Sequence, residues 1–223
     1  MSETVKQSLE AVQERIAMAA RTAGRDPGEI TLVAVTKTHP PERITEALAA
    51  GHRSFGENRV QEAMAKFPQL REDYPDLELH LVGPLQSNKA ADAVATFDVI
   101  QTLDRPRIVR ALAKEMERQA RRPRCFLQVN TGEEPQKAGV VPDEVAPLVE
   151  LCRDLELPLI GLMCIPPIDE PPAPHFALLR KLAERHDLAL LSMGMSGDYE
   201  TAVELGATHV RIGTAIFGER PVP

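Results

Sequence analysis

Short apolar runs alternate along the chain with segments in which apolar residues recur at helical spacing. The first such segment, over residues 2–23, predicts an amphipathic helix with charges throughout its polar face. After it the pattern predicts strands over residues 32–38, 54–57, 78–85, 99–103, 125–129, 159–164, 188–193 and 210–212. Helical segments separate these strands, and strands that alternate with helices form a parallel sheet.

The number of predicted strands favours a closed (β/α)₈ barrel of the TIM type. The chain has 223 residues, which lies within the range of one such barrel. The first strand lacks the GxGxxG turn of dinucleotide-binding folds, so an open doubly wound sheet is a poorer match. We therefore expect residues 1–223 to form a single α/β barrel domain preceded by an extra N-terminal helix.

The last two predicted strands end in small residues and hydroxyl groups. Gly194, Ser196 and Gly197 follow the seventh strand, and Gly213 and Thr214 follow the eighth. Backbone N–H groups beside hydroxyl groups bind phosphate well. In (β/α)₈ barrels the phosphate site commonly lies in the loops after strands seven and eight. The sequence therefore predicts a phosphate cradle at the C-terminal mouth of the barrel.

Lys37 is a candidate nucleophile at the same mouth. By strand alternation Lys37 lies on one face with Val33 and Val35, and these valines are expected to fill the barrel interior. A partly desolvated lysine has a lowered pKa and can attack carbonyl groups. A solvated lysine at a strand end is the plainer interpretation. The shared face with two valines and the phosphate cradle favour the nucleophile.

Several polar residues near the strand ends have both a structural and a functional interpretation. Arg211 either pairs with a carboxylate at the rim or donates to an acceptor on the ligand. Asn58 could hold a ligand hydroxyl and Glu57 could pair with a rim cation, or both could cap the next helix. Asn88 and Asp198 are interpreted as caps of the helices that follow them.

The remaining composition excludes some classes of function. A net charge of −7 argues against a general nucleic-acid binder. The three cysteines lack metal-binding spacing, which indicates buried, reduced thiols and a cytoplasmic protein. No apolar run is long enough to span a membrane, and the charged N-terminus is unlike a signal peptide. Histidines without metal spacing are predicted at the surface or the rim, namely His39, His52, His175, His186 and His209.

A lysine nucleophile opposite a phosphate cradle suits a phosphorylated aldehyde. Pyridoxal 5′-phosphate (PLP) is one such compound, and a sugar phosphate bound to a Schiff-base aldolase is another. Arg211 helps to separate them, because PLP has a pyridine nitrogen that accepts a hydrogen bond and a sugar phosphate has none.

Several segments together resemble the YggS/PROSC family, the pyridoxal phosphate homeostasis proteins. They are VAVTKTHP, SFGENRVQE, HLVGPLQSNK, GLMCIPP, the spaced Lys137-Ala138-Gly139 and LSMGMSGDYETAVELGATHVRIGTAIFG. The resemblance implies a fold type III PLP barrel without the C-terminal β-domain of alanine racemase. It implies a Schiff base between PLP and Lys37. It also implies that Ser196, Gly213 and Thr214 bind the phosphate, that Arg211 faces the pyridine nitrogen, and that Asn58 lies beside the ring.

Two functions from different classes fit this cofactor site. The family resemblance implies a non-enzymatic carrier that buffers PLP and delivers it to apo-PLP-dependent enzymes, and we expect it to be a monomer. The alternative is an amino-acid racemase, which needs an acid or base on both faces of the substrate. In alanine racemases a tyrosine of a second domain serves one face, and we expect no such domain here because the sequence ends at Pro223. We expect Tyr74 and Tyr199 to lie away from the mouth, so the carrier is favoured.

Overall fold

The first and last strands pair with each other, and this pairing closes the sheet into a barrel. The structure is a computed structural model that describes residues 4–219. Its strands are β1 (Thr31–Val35), β2 (Ser54–Glu57), β3 (Glu78–Leu81), β4 (Val99–Leu103), β5 (Arg124–Val129), β6 (Leu159–Cys164), β7 (Leu190–Ser192) and β8 (His209–Ile212). Each is parallel to the next, and β8 pairs with β1 from Thr31↔His209 to Ala34↔Ile212. The predicted (β/α)₈ barrel is confirmed.

Helices cover the outside of the barrel and bury the apolar stripes that the sequence pattern indicates. They are α1 (Val5–Thr22), α2 (Pro41–Ala49), α3 (Val60–Asp73), α4 (Ala90–Thr96), α5 (Pro106–Gln119), α6 (Val145–Asp154), α7 (Pro172–Arg185), α8 (Tyr199–Glu204) and α9 (Thr214–Phe217). The extra helix α1 begins after a capping box formed by Thr4 and Gln7, and it packs against α2, α8 and α9. The predicted start of this helix at Ser2 lies outside the described residues.

Several predicted boundaries differ from the structure. Strand β1 ends at Val35 rather than at residue 38, because the chain turns at Thr38, which has a φ of 65°. Helix α3 continues past Pro68 to Asp73 with Leu70 buried, although a proline commonly ends a helix. Strand β3 is four residues shorter than predicted. All of these differences lie at element ends, where local patterns are weakest.

The barrel interior is partly polar. An apolar cluster of Val99, Phe126 and Met163 fills one part of it. Hydrogen bonds between buried side chains cross the rest, and they include Ser192 and Arg211. Side chains that alternate along the strands point into this interior, which is how His80 and His209 come within 6.0 Å of each other between ring centroids.

The prediction that the histidines lie at the surface or rim was wrong for most of them. Of those named in the prediction, the buried ones are His39, His52, His175 and His209. Their burial follows from position, since His209 starts an interior-facing register on β8 and His52 lies two residues before β2, with its ring against Phe55. By contrast, the predicted burial of the cysteines is confirmed for Cys125, Cys152 and Cys164.

Residues 4–219 contain neither a helix that could span a membrane nor a cluster of metal ligands. The helices there are each too short or too polar to cross a membrane. The same residues contain no group of three or more histidine, cysteine or acidic side chains placed to hold a metal ion.

The buried histidines make stability depend on pH. Burial, reinforced by the neighbouring His80, lowers the pKa of His209 from 6.5 to about 3. Burial also lowers the pKa of His52. Below pH 6.5 these histidines therefore bind protons in the unfolded chain but stay neutral in the folded chain. The free energy of unfolding consequently falls as the pH falls.

We expect His209→Gln to remove part of this dependence. Each such histidine contributes a slope that approaches about 1.4 kcal/mol per pH unit. Urea denaturation at intervals from pH 7 to 5 should therefore show a flatter decline in the variant, with the share of His52 remaining. A variant whose slope equals that of the unmodified protein would contradict the assignment, whatever its absolute stability.

Candidate cofactor site

The predicted site residues meet at one cavity at the C-terminal mouth of the barrel. The cavity has a volume of about 320 Å³, near the lower end of the range for small-molecule sites, roughly 300–1,000 Å³. Its lining includes all of the predicted residues, which are Lys37, Asn58, Ser196, Arg211, Gly213 and Thr214. Val35, Val82, Ile165 and Met195 supply apolar walls. The structure thus brings together residues that are up to 177 positions apart (214 − 37) in the chain.

The backbone on both sides of Lys37 is fixed by a buried ion-pair cluster. Lys66 on α3 donates to the Thr36 carbonyl (3.0 Å) and to the carboxylates of Glu57 (3.0 Å) and Glu62 (2.5 Å). Thr36 Oγ1 donates to Glu57 at 2.7 Å, and the Thr38 N–H donates to Glu62 at 2.6 Å. The turn that carries Lys37 is therefore held from α3, which orients the lysine toward the cavity that it lines.

Glu57 is part of this cluster and does not cap α3. Its side chain is fully buried, and burial raises the pKa of its carboxyl group while Lys66 and the Thr36 hydroxyl oppose that shift. The predicted cation partner exists as Lys66, although the pair is buried rather than at the rim. Helix α3 has Arg59 at its N-cap and no side-chain cap bond, so the capping interpretation of Glu57 and Asn58 was wrong.

Asn58 lines the cavity because its backbone is held by close packing. A Cβ atom on Gly83 would lie 2.3 Å from the Asn58 carbonyl oxygen, so only glycine allows the two loops to approach this closely. Asn88, in contrast, lies inside a 3₁₀ turn over Ser87–Lys89, and the residue before α4 is Lys89. The interpretation of Asn88 as a helix cap was therefore wrong.

The loop that carries Ser196 is closed by Asp198. The Asp198 carboxylate accepts from the Met195 N–H at 2.6 Å, and the Met195 carbonyl accepts from the N–H groups of Asp198 and Tyr199. Asp198 occupies the N-cap position of α8, but its side chain makes no cap bond to the helix, so that part of the prediction was wrong. Gly194, with a φ of 94°, lets the loop lie directly on α8.

Gly213 and Thr214 face this loop from β8. The Gly213 carbonyl accepts from the N–H groups of Ile216 and Phe217, which starts the short helix α9 at Thr214. A Cβ atom on Gly213 would lie 3.1 Å from the Val35 carbonyl oxygen, which is tighter than ordinary contact. The β1–β8 pairing therefore places the cradle beside the strand that leads to Lys37.

Arg211 lies beneath the cavity and is only 4% exposed. Its Nη1 donates to Ser192 Oγ at 2.7 Å, and its Nη2 donates to the Cys164 carbonyl at 2.8 Å. Burial lowers the pKa of its guanidinium group. Neither of these partners is a carboxylate, so the interpretation of Arg211 as one half of a rim ion pair was wrong. Neutral acceptors fix the group and leave its remaining N–H groups for the cavity.

Both tyrosines lie away from this cavity. Tyr199 is 2% exposed and packs under α1, with Arg15 Cζ 5.6 Å from its ring centroid. Its hydroxyl group has no hydrogen-bond partner within the described residues. Tyr74 lies at the far end of α3 beneath Arg53, at 5.1 Å. The predicted placement of the tyrosines is confirmed.

Sequence reasoning missed the residues that support the site. Glu62 and Lys66 are separated by four positions on one helix, a spacing typical of ion pairs, and this was the available signal. The side-chain partner of Arg211 gave a weaker signal. Ser192 is a polar residue at the end of a strand whose other residues are apolar.

Comparison with known proteins assigns the chain to a family. Residues 7–221 match the family described as "Alanine racemase, N-terminal domain", so the chain belongs to that family. Within it, the chain groups with the pyridoxal phosphate homeostasis proteins. The protein of that name from Pseudomonas aeruginosa is 44% identical over 223 residues, which cover 97% of this chain and 96% of the relative.

Solved structures agree with this assignment. PipY of Synechococcus elongatus, solved with PLP bound, is 39% identical with a TM-score of 0.77, and the match covers 93% of this chain and 100% of PipY. Alanine racemase of Corynebacterium glutamicum is more distant, at 20% identity and a TM-score of 0.67 over 96% of this chain and 62% of the racemase. The racemase therefore shares the fold, and the likeness shows no more than that.

The role of Asp198 in closing the Ser196 loop can be tested by substitution. We expect Asp198→Ala to remove the acceptor for the Met195 N–H and to speed hydrogen exchange at this amide by about tenfold or more, because bonds to charged groups contribute roughly 1.5–3 kcal/mol. Asp198→Asn is the matched control, since its amide oxygen keeps an acceptor in place. Equal exchange in all three proteins would show that the loop is held by other contacts.

Proposed function

We propose that this protein binds PLP in the cavity at the C-terminal mouth, covalently through the amine of Lys37, and acts in PLP homeostasis as a buffer and carrier. The observation that supports this most directly is the convergence of Lys37, Arg211 and two small-residue loops on one cavity. The name of the Pseudomonas aeruginosa relative and the PLP bound to PipY point to the same cofactor.

Each of these groups suits a different part of PLP. The amine of Lys37 suits the aldehyde. Ser196, Gly213 and Thr214 suit the phosphate, through hydroxyl and backbone N–H donors. Arg211 suits the pyridine nitrogen, because a guanidinium group has only donors and the nitrogen is an acceptor. Asn58 stands at the side of the cavity, where it can contact the ring.

The same geometry favours a carrier over a racemase. Bound PLP supplies an electron sink, which is strongest when its pyridine nitrogen is protonated. Arg211 offers that nitrogen a hydrogen bond and keeps its own proton, so the sink is weakened. Lys37 can move a proton on one face, whereas Tyr74 and Tyr199 are packed beneath arginines elsewhere. Apo-PLP-dependent enzymes are the proposed recipients.

We also propose the domain organisation, the oligomeric state and the compartment of the protein. Residues 1–223 are proposed to form one PLP-binding domain that works as a monomer, since one chain supplies the lysine, the arginine and both small-residue loops of the cavity. The three cysteines are unpaired and buried, which suits a reducing compartment such as the cytoplasm. Borohydride treatment and size-exclusion chromatography of the PLP-loaded protein test the attachment and the monomer, respectively.

Lys37→Ala should abolish covalent attachment of PLP. The variant should lose the visible absorbance of lysine-bound PLP and the labelled peptide after borohydride reduction, while its circular dichroism stays unchanged. Lys89→Ala is a suitable control, because Lys89 lies on the same side of the barrel but does not line the cavity. Full absorbance in Lys37→Ala, or label at another lysine, would refute the proposed role.

The PLP-loaded protein should deliver PLP without turning over amino acids. We expect it to reactivate an apo-PLP enzyme after gel filtration has removed free PLP, and Lys37→Ala treated in the same way should not. In deuterium oxide, the α-carbon of common amino acids should exchange slowly or not at all, with retention. Rapid exchange with inversion requires an acid or base on the second face, so that result would establish a racemase and overturn the carrier.

A further inference from the structure

A continuous chain of side-chain hydrogen bonds runs from Arg211 through the barrel interior to its opposite mouth. Ser192 Oγ, which accepts from Arg211, donates to Gln101 Oε1 at 2.5 Å. Gln101 Nε2 lies 2.9 Å from His80 Nδ1, and His80 Nε2 lies 2.7 Å from Glu78 Oε1. The chain ends at Glu78, whose other oxygen accepts from Arg124.

In the neutral form of the His80 ring, the chemistry of the end groups fixes the direction of every hydrogen bond in this chain. Ionised Glu78 only accepts, and its hydrogen bond with His80 lowers its pKa to about 2, so His80 Nε2 must carry the proton. His80 Nδ1 is then the acceptor for the Gln101 amide group. Gln101 must present its oxygen to Ser192, and the Ser192 hydroxyl proton points to that oxygen. The serine lone pairs are therefore free to accept from Arg211.

This order matters because Ser192 is one of two acceptors that orient Arg211. The other is the Cys164 carbonyl, which belongs to the backbone of β6 and cannot rotate. A serine hydroxyl does rotate, and it accepts from Arg211 in a fixed direction only when its proton is engaged. Gln101 engages that proton, and His80 prevents the Gln101 amide from turning over. Gln101 and Ser192 are buried together with His80, so water does not replace a missing partner at low cost.

We infer that Gln101 and His80 are positioning residues that hold Arg211 in its orientation toward the cavity. This inference rests on the proposed function, because it assigns Arg211 to the pyridine nitrogen of PLP. Neither residue lines the cavity, and their hydrogen bonds lead to it through Ser192 and Arg211. A purely structural role would instead change stability and leave the pyridine nitrogen as it was.

The test compares two buried glutamines on adjacent strands. Gln101→Leu breaks the chain, whereas Gln128→Leu removes a glutamine of β5 that bonds to the Ala138 carbonyl and lies outside the chain. Each variant is loaded with PLP labelled with ¹⁵N in the ring, and the ¹⁵N chemical shift is measured together with the affinities for PLP and pyridoxal. Circular dichroism and thermal unfolding report whether each variant folds.

We expect the ring ¹⁵N resonance to move in Gln101→Leu and to keep its position in Gln128→Leu. The affinities of Gln101→Leu for PLP and for pyridoxal should fall by the same factor, roughly two- to tenfold, because the loss lies at the ring and not at the phosphate. If Gln101→Leu does not fold, Ser192→Ala carries the same test, since it removes a single oxygen from the chain.

Two results would overturn the inference. The first is an unchanged ¹⁵N shift in a folded Gln101→Leu or Ser192→Ala protein that still binds PLP. The second is an equal change in Gln128→Leu, which would indicate a general effect of interior packing. Failure of the unmodified protein to bind PLP would instead refute the proposed function, so the two failures are distinguishable.

Discussion

The buried guanidinium group of Arg211 constrains the rest of the barrel. A charge taken out of water costs several kcal/mol unless polar groups replace its hydration. Barrels of this type usually fill their interior with layers of branched apolar side chains. Here the interior instead carries serine, glutamine, histidine and glutamate side chains below the arginine, and each one orients the next. A cationic floor to the cavity is thus possible only because the layers beneath it are polar.

The two sides of the cavity are held by different kinds of interaction. Lys37 is flanked by threonines that the Lys66 cluster ties to α3, so ion pairs fix the backbone that carries this lysine. The opposite loops are fixed by close backbone packing, at Gly194 on α8 and at Gly213 on β1. These contacts all lie within the protein, so the chain itself holds both walls of the cavity in place. Preorganisation of this kind lowers the cost of binding a ligand.

Much of the fold could be predicted from the sequence because strand alternation and glycine-ended strands are local signals. The eight strands, and the residues that line the cavity, follow from such patterns. The interior hydrogen-bond chain could not be predicted, because it joins side chains of β3, β4, β7 and β8. Contacts between distant strands across a barrel produce no recognisable pattern within the sequence of any one strand. Asp198 shows the same limit on a smaller scale. Its type and position suggest a helix cap, but the carboxylate turns back to Met195 in the folded loop.

The pairing of β1 with β8 also determines when during synthesis the site can exist. One wall of the cavity follows the first strand and the facing wall follows the last, so neither half of the chain contains a complete pocket. Domains fold as units while the ribosome extends the chain at roughly 5–20 residues per second. A nascent chain on the ribosome therefore has no place for a ligand until β8 has emerged. The pocket is therefore complete only in a chain that contains both β1 and β8, and loss of either strand removes one of its walls.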